Sequence, residues 1–260
     1  MKSKLIKFSI WTIIMLAVIT KALGLSKAPE QAPLMPRQIE LSGNLVKFSI
    51  PENFSSDMPA DNMIESVNLS DKEIYLDHEK FTLIRRWWDF KESGLLAKEF
   101  GTIMMSMYIK EIPENSDKNI LTPLGLIGTT IENFNIESKT GEEKDSEGNV
   151  ITLHPNFYEA YNIATFNQQN WISYPIEHPS LHQHEIYYAI PITEKNYIVV
   201  SFSFAPVNSI PVREFVDEYG RDHMESIMNS FNVEYAKESN VPAVIGQPVD
   251  LQKLINDKFY

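Results

Sequence analysis

The sequence predicts an α+β fold, an antiparallel sheet sandwich with packing helices that follows an N-terminal export signal or membrane anchor. Leu45–Ile50 alternates apolar and polar residues and then meets Pro51, which is typical of a half-buried strand that ends in a turn. Glu185–Ile192 and Tyr197–Phe204 are apolar strands separated by a turn of hairpin length. Pro211–Phe231 then repeats apolar residues at three- and four-residue steps, which predicts a helix packed on the sheet.

The other elements are predicted from composition and flanking turn residues. The domain is expected to begin at Ile39. Ile120–Phe134 could form a helix, although the proline and two glycines within it weaken this prediction. Segment 139–149 is charged and holds no apolar residue, so we expect an exposed loop. This loop either divides the domain, 39–235, into two subdomains or connects a hairpin. Further strands are predicted at Phe81–Phe90, Gly101–Ile112, Val150–Leu153, Tyr158–Phe166 and Trp171–Tyr174.

Two features qualify the C-terminal prediction. Gly220 interrupts the apolar face of the Pro211–Phe231 helix, which predicts a kink or a break into two helices. Residues 236–260 are polar and hold two prolines, so we expect a poorly ordered tail. Within this tail only Leu251, Leu254 and Ile255 could dock as a short turn.

Residues 1–26 have the pattern of an export signal. Three lysines precede an apolar run of 13 residues, Phe8–Thr20. The run is short for a membrane-spanning helix, which needs about 20 residues, but residues after Lys21 could extend it. A cleaved signal peptide and a retained anchor both remain open, and both place the body in the periplasm. Residues 27–38 hold three prolines and predict an extended linker.

Composition excludes several classes of function. The formal net charge is −12, and because residues 1–26 carry four lysines and no acid, the body is near −16. Such a surface repels phosphate backbones and argues against nucleic-acid binding. It suits a basic partner, or it merely keeps the protein dispersed. With no cysteine, the chain forms no disulfide, thiolate metal site or cysteine nucleophile.

Arg85–Asp89 is the most distinctive short segment. On a strand, Arg85, Trp87 and Asp89 share one face, while Arg86 and Trp88 share the other. One tryptophan is expected in the core. The other either anchors an interface or packs at the core edge under arginine stems.

No motif for a catalytic nucleophile or a phosphate-binding loop occurs. His178, His182, His184 and Glu185 could hold zinc, but their spacing matches no ligand motif. The preferred interpretation is a polar loop that leads into a strand. We therefore expect no catalytic, metal or cofactor site.

Two parts of the chain resemble known families. Val46–Asn53, together with the strand pair from Tyr187 to Phe204 and the helix that ends in Met224–Phe231, resembles the PsbP/DcrB-like α+β sandwich. The strings Arg86–Phe90 and Gly101–Ser106 are similar to those of envelope-located immunity proteins of type VI secretion systems, including proteins that oppose lipase effectors. The resemblance covers about half of the chain and brings no catalytic residue with it.

The resemblance implies a non-enzymatic protein that binds and neutralises a cognate toxin in the periplasm, either soluble or tethered to the inner membrane. The alternative is an envelope accessory or ligand-binding protein of the same fold. The acidic body adds the expectation that the toxin carries a basic patch. The candidate partner-binding residues are Trp87, Trp88, Glu142, Glu143, Asp145 and Glu147.

Overall fold

The computed structural model describes residues 32–55, 63–75, 80–93, 97–113, 116–137, 142–144, 146–178, 183–237, 239, 241 and 249–259. The predicted leader, 1–26, and residues 27–31 of the predicted linker lie outside these ranges. The described chain forms a large sheet, a small sheet and helices on both faces of the large sheet.

The strands of the described chain are β1 (Leu34–Leu41), β2 (Asn44–Pro51), β3 (Ser66–Val67), β4 (Lys80–Lys91), β5 (Glu99–Glu111), β6 (Glu142–Lys144), β7 (Val150–Leu153), β8 (Asn162–Phe166), β9 (Gln169–His178), β10 (Gln183–Pro191), β11 (Asn196–Pro206) and β12 (Asn232–Glu234). The helices are α1 (Pro123–Glu137), α2 (Val212–Phe215), a π-helical turn (Val216–Gly220), α3 (Arg221–Met228) and α4 (Leu251–Phe259). Short 3₁₀ turns occur at Lys72–Tyr75 and Tyr158–Ala160.

The large sheet is antiparallel, and β11 lies inside it between β5 and β10. Its strand order is β4–β5–β11–β10–β9–β7–β6, with β8 also paired to β9. Alternate β11 residues face two separate hydrophobic clusters, with Val200 and Phe202 on one side and Tyr197 and Val199 on the other. Because both faces are covered, β11 reads as a nearly continuous apolar run rather than an alternating one.

The small sheet, in the order β12–β2–β1–β3, packs against the first of these faces. Val46 and Phe48 of β2 belong to the same buried cluster as Met105 of β5 and Phe202 of β11. Phe231, just before β12, stacks on Phe48 with ring centroids 5.0 Å apart. The two packed sheets and their helices confirm the predicted α+β sandwich.

The strand β1 begins inside the predicted linker, so 34–38 is part of the small sheet. The Glu40 amide donates to the Glu65 carbonyl at 2.9 Å, and β3 pairs only with Glu40 and Leu41. Pro36 therefore has its missing N–H on the outer edge of β1, where no strand pairs with it among the described residues. A proline is tolerated there because it removes no ladder hydrogen bond, and it blocks pairing with another strand.

Gly220 changes the predicted Pro211–Phe231 helix without breaking it. The chain stays helical from α2 through the π-helical turn to Met228. A Cβ atom at Gly220 would lie 2.7 Å from the Phe204 ring, so only glycine allows this close approach of helix to sheet. The wider turn absorbs one extra residue and keeps Phe215, Met224 and Met228 buried.

Helices α1 and α4 cover the second face of the large sheet. α1 starts at Pro123, a position where proline is well tolerated, and the Thr122 side chain accepts a hydrogen bond from the Gly125 amide at 3.1 Å. The expectation of a poorly ordered tail at 236–260 is wrong for residues 251–259, where the alternative of a docked turn is confirmed for Leu251 and Ile255 but not for Leu254, which is exposed. Leu251 and Ile255, one helical turn apart, are buried against the α1 side of the sheet.

The predicted loop at 139–149 contains a short strand, because Glu142–Lys144 forms β6 and pairs with β7. Strands from before and after this segment lie in the same sheet, since β5 pairs with β11 along its whole length. The hairpin here is formed by β6 and β7, whereas the segment as a whole follows the helix Pro123–Glu137 and not a strand.

Candidate functional site

The two adjacent tryptophans point to opposite faces of β4. Trp88 is 1% exposed, and its indole N–H donates to the Pro51 carbonyl at 3.1 Å. Trp88 therefore joins β4 to the end of β2. It offers no surface to a partner, which corrects its place among the candidate contacts.

Trp87 lies on the other face and is half-buried. The guanidinium carbon of Arg85 sits 5.9 Å from the centroid of its ring, within cation–π distance. Met104 is its cross-strand neighbour on β5, and Thr102 donates to Asp89 at 3.3 Å beside it. We call Arg85, Trp87, Asp89, Thr102 and Met104 the Trp87 face.

The backbone of β4 is occupied along its outer edge, although β4 is the terminal strand of the large sheet. Three carbonyls on this stretch accept hydrogen bonds from groups outside β5. The pairs are the Ile64 amide to Leu83 at 2.9 Å, the Arg86 guanidinium to Arg85 at 2.7 Å, and the Ser55 amide to Trp87 at 2.8 Å. A strand added along 83–87 would have to displace these groups, so a partner meets the side chains of the Trp87 face more easily.

The acidic candidates lie far from Trp87. β6, which contains Glu142 and Glu143, is at the opposite end of the large sheet from β4, six strand spacings or roughly 29 Å away. Glu147 is exposed in the turn that follows, whereas Asp145 and the side chains of Glu142 and Glu143 lie outside the described residues. The predicted contacts therefore do not form one site.

The histidines do not converge. His178 pairs with Gln183, and His184 pairs with Glu177, so the two imidazoles lie on opposite faces of the β9–β10 hairpin. His182 lies outside the described residues, and no group of three metal-binding side chains occurs in the part of the chain that is described.

The His178 side chain instead belongs to a polar chain on the α1 side of the sheet. Its Nδ1 is 3.3 Å from the Thr152 hydroxyl, and its Nε2 is 3.6 Å from Glu185. Tyr187 donates a short hydrogen bond of 2.6 Å to the same carboxylate. These contacts tie β7 to β9 and β10.

A second histidine, His223, is buried among aromatic rings. Its imidazole lies 4.7 Å from the Trp88 ring and 5.3 Å from the Phe90 ring, and the residue is 4% exposed. The Nε2 atom has no hydrogen-bond partner among the described residues. Burial disfavours the charged imidazolium and lowers the pKa of His223 from 6.5 to about 4.

This burial predicts a loss of stability in acid. Between pH 6.5 and about 4 the unfolded chain takes up the His223 proton before the folded chain does, so stability falls as pH falls. The total effect is about 3 kcal/mol, from about 1.4 kcal/mol per pKa unit. Urea unfolding at pH 7, 5.5 and 4 would measure this effect. Between pH 7 and pH 4 the free energy of unfolding of His223→Phe should fall by about 3 kcal/mol less than that of the parent protein. Equal pH slopes in the variant and the parent would contradict this assignment.

A cleft that the sequence did not predict lies between the ends of β9 and β10 and the α2–α3 segment. It encloses about 540 Å³. Its floor is apolar and consists of Ile186, Val212, Val216 and Met224. Its polar lining comes from both walls and consists of Glu177, His178, Gln183, His184, Arg213, Asp217 and Arg221. We call this the β10–α3 cleft.

On the helical wall of the cleft, Asp217 lies between two arginines and pairs with both. Arg221 donates to Asp217 Oδ1 at 2.7 Å, and Arg213 Nε is 3.8 Å from Oδ2. On the opposite wall, burial lowers the pKa of His184, and nearby Glu177 only partly opposes this effect. The π-helical turn presents Asp217 to the cleft, and such turns recur at functional sites.

No protein-family model matches this chain, and no curated protein matches it in sequence. Within the described residues, no helix is both long and apolar enough to cross a membrane.

Proposed function

We propose that this chain is a non-enzymatic immunity protein that binds and neutralises a secreted toxic effector in the periplasm. The observation that carries the proposal is the Trp87 face on the terminal strand of the large sheet. Tryptophan and arginine are the side chains most enriched at the energetic centres of protein interfaces. Here they lie together, half-buried and already in contact, on a strand whose backbone edge is occupied.

The geometry also favours a rigid recognition surface. Trp87 sits between Arg85 and Asp89 on a strand that pairs with β5 along most of its length. Because its neighbours hold the ring in place, little side-chain entropy would be lost on binding. The buried Trp88, one residue on, anchors the same strand to β2 through Pro51.

The negative charge of the chain should also speed its encounter with the toxin. A body near −16 attracts a basic partner from a distance, and this attraction weakens with salt. Glu147, at the far end of the sheet, is the acidic candidate whose side chain is described, and it is exposed. Since that end lies far from Trp87, we assign acidic steering and aromatic anchoring to different parts of the protein.

This division predicts separable kinetic effects with the toxin that co-purifies from the cell envelope. Trp87→Ala should raise the dissociation rate at least tenfold and change the association rate little, because it removes an interface anchor. Glu147→Lys should slow association, mostly at low salt. Phe157→Ala is a matched control, since this ring is 55% exposed on a different element. Surface plasmon resonance would measure all three variants.

The decisive test is a deletion of this gene in its native host, followed by competition against the parent strain. The mutant should be killed on contact, and expression of the chain should protect it. If the mutant survives as well as the parent and no toxin co-purifies, the immunity proposal fails. The alternative, an envelope accessory or ligand-binding protein, then takes its place.

A further inference from the structure

The β10–α3 cleft has the size and lining of a ligand site, and it is separate from the Trp87 face. Its volume of about 540 Å³ lies within the range of small-molecule pockets, roughly 300–1,000 Å³. Ile186 lies in register with Phe202 and Met105, on the same face of the sheet as Trp88. Trp87 points to the other face, so the two surfaces can act independently.

The free polar groups in the cleft are mostly hydrogen-bond donors. Both oxygens of Asp217 already face guanidiniums. By contrast, the side chains of His184 and Arg213 make no hydrogen bond to any other residue in the described ranges. Arg213 is 96% exposed, and its distance of 3.8 Å from Asp217 leaves its donors available.

The cleft is also locally neutral on a strongly acidic protein. Its two arginines balance the carboxylates of Asp217 and Glu177, whereas the whole chain has a formal charge of −12. Glu177 is exposed to water at the strand end, so its repulsion of a ligand is screened. An anion is therefore tolerated here better than on the surrounding acidic surface.

We propose that the β10–α3 cleft binds a small amphipathic anion. Its acidic group is held by Arg213 and Arg221, with His184 as a further donor. Its apolar part lies on half-buried Ile186 and Val212, above the buried side chains of Val216 and Met224. Arginine suits this role because its planar fork recognises a carboxylate or phosphate with two parallel hydrogen bonds.

Octanoate is a suitable probe because it joins an apolar tail to a carboxylate. One control ligand tests the need for the tail, and a second tests the need for the negative charge. Titration of the full chain should shift the NMR signals of the Ile186 and Val216 methyl groups and of the His184 ring. Acetate lacks the apolar tail, and octylammonium carries the opposite charge, so both should bind at least tenfold more weakly. Equal binding of octylammonium, or octanoate shifts confined to other regions, would overturn the proposal.

Variants then test the assigned residues. Arg213→Gln combined with Arg221→Gln should weaken octanoate binding at least tenfold, because two charge-assisted contacts are lost. The melting temperature should change little, since both side chains are exposed and their ion pair within the described ranges is with Asp217. Lys253→Gln on α4 removes a positive charge elsewhere and should bind octanoate as the parent does. Undiminished binding by the double variant would disprove the role of the arginines.

Discussion

Replacing Met228 with aspartate should destabilise the protein by several kcal/mol, enough to unfold a marginally stable domain. Met228 ends α3, is fully buried, and belongs to the cluster shared by both sheets. A carboxylate there would lose its hydration without gaining a partner, which is among the most costly substitutions known in proteins. Urea unfolding monitored by tryptophan fluorescence would measure the change.

The next residue provides the control for this substitution. Asn229→Asp introduces the same charge one position later, but Asn229 is exposed. We expect its effect to stay within about 0.5 kcal/mol, as is usual for surface changes. Similar unfolding midpoints for Met228→Asp and the parent would mean that this face of α3 is not part of the core.

Replacing Gly101 with alanine should cost about 3 kcal/mol or more. Gly101 has a φ of +154° and pairs with Phe90 on one side and Pro206 on the other. A Cβ atom there would lie 2.6 Å from the Pro206 Cα and 2.7 Å from the Ala205 carbonyl oxygen. Since these are backbone atoms, relief requires β5 and β11 to separate locally.

Gly148→Ala separates this steric clash from the cost of the backbone conformation. Gly148 also has a positive φ, +86°, but nothing lies within 4 Å of an added Cβ. We expect this variant to lose about 1 kcal/mol, the usual penalty for an L-residue in that region. Thermal unfolding of both variants would measure the difference, and equal losses would rule out the clash as the cause.

The elements that the sequence predicted best are those whose buried apolar residues recur at the period of a strand or a helix. β2, β10 and β11 carry either alternation or a nearly continuous apolar run, β4 is rich in aromatic and β-branched residues, and each became a strand close to the predicted bounds. The Pro211–Phe231 helix was also predicted well, because its apolar residues follow the helical period. Its π-helical turn was not predicted, since it depends on the contact between Gly220 and Phe204.

The errors occurred where tertiary contacts override local composition. The proline content of 27–38 suggested a linker, but an edge position lets β1 include Pro36. The polar residues of 236–260 suggested disorder, yet Leu251 and Ile255 suffice to dock α4. Local pattern does not reveal whether another part of the chain offers a complementary surface.

The candidate site was predictable only in part. Alternation along β4 separated Trp87 from Trp88, but only the pairing with β5 and the Pro51 carbonyl determine which one is buried. The β10–α3 cleft joins strand ends near residue 180 to a helix near residue 217. Its residues carry no shared motif, because the fold rather than the spacing brings them together.

The sequence distance between paired elements has a consequence for how the chain folds. β12 completes the small sheet by pairing with β2, and the Ser49 amide donates to the Ser230 hydroxyl across 181 residues. β11, the interior strand of the large sheet, pairs with β5 across a long intervening segment. Such pairings carry a large loop-closure entropy, so assembly should be slow compared with that of helical proteins of this size. The large sheet cannot be completed before residue 206 has been synthesised, nor the small sheet before residue 234. A chain halted before residue 196 would expose β5 as an unpaired apolar edge.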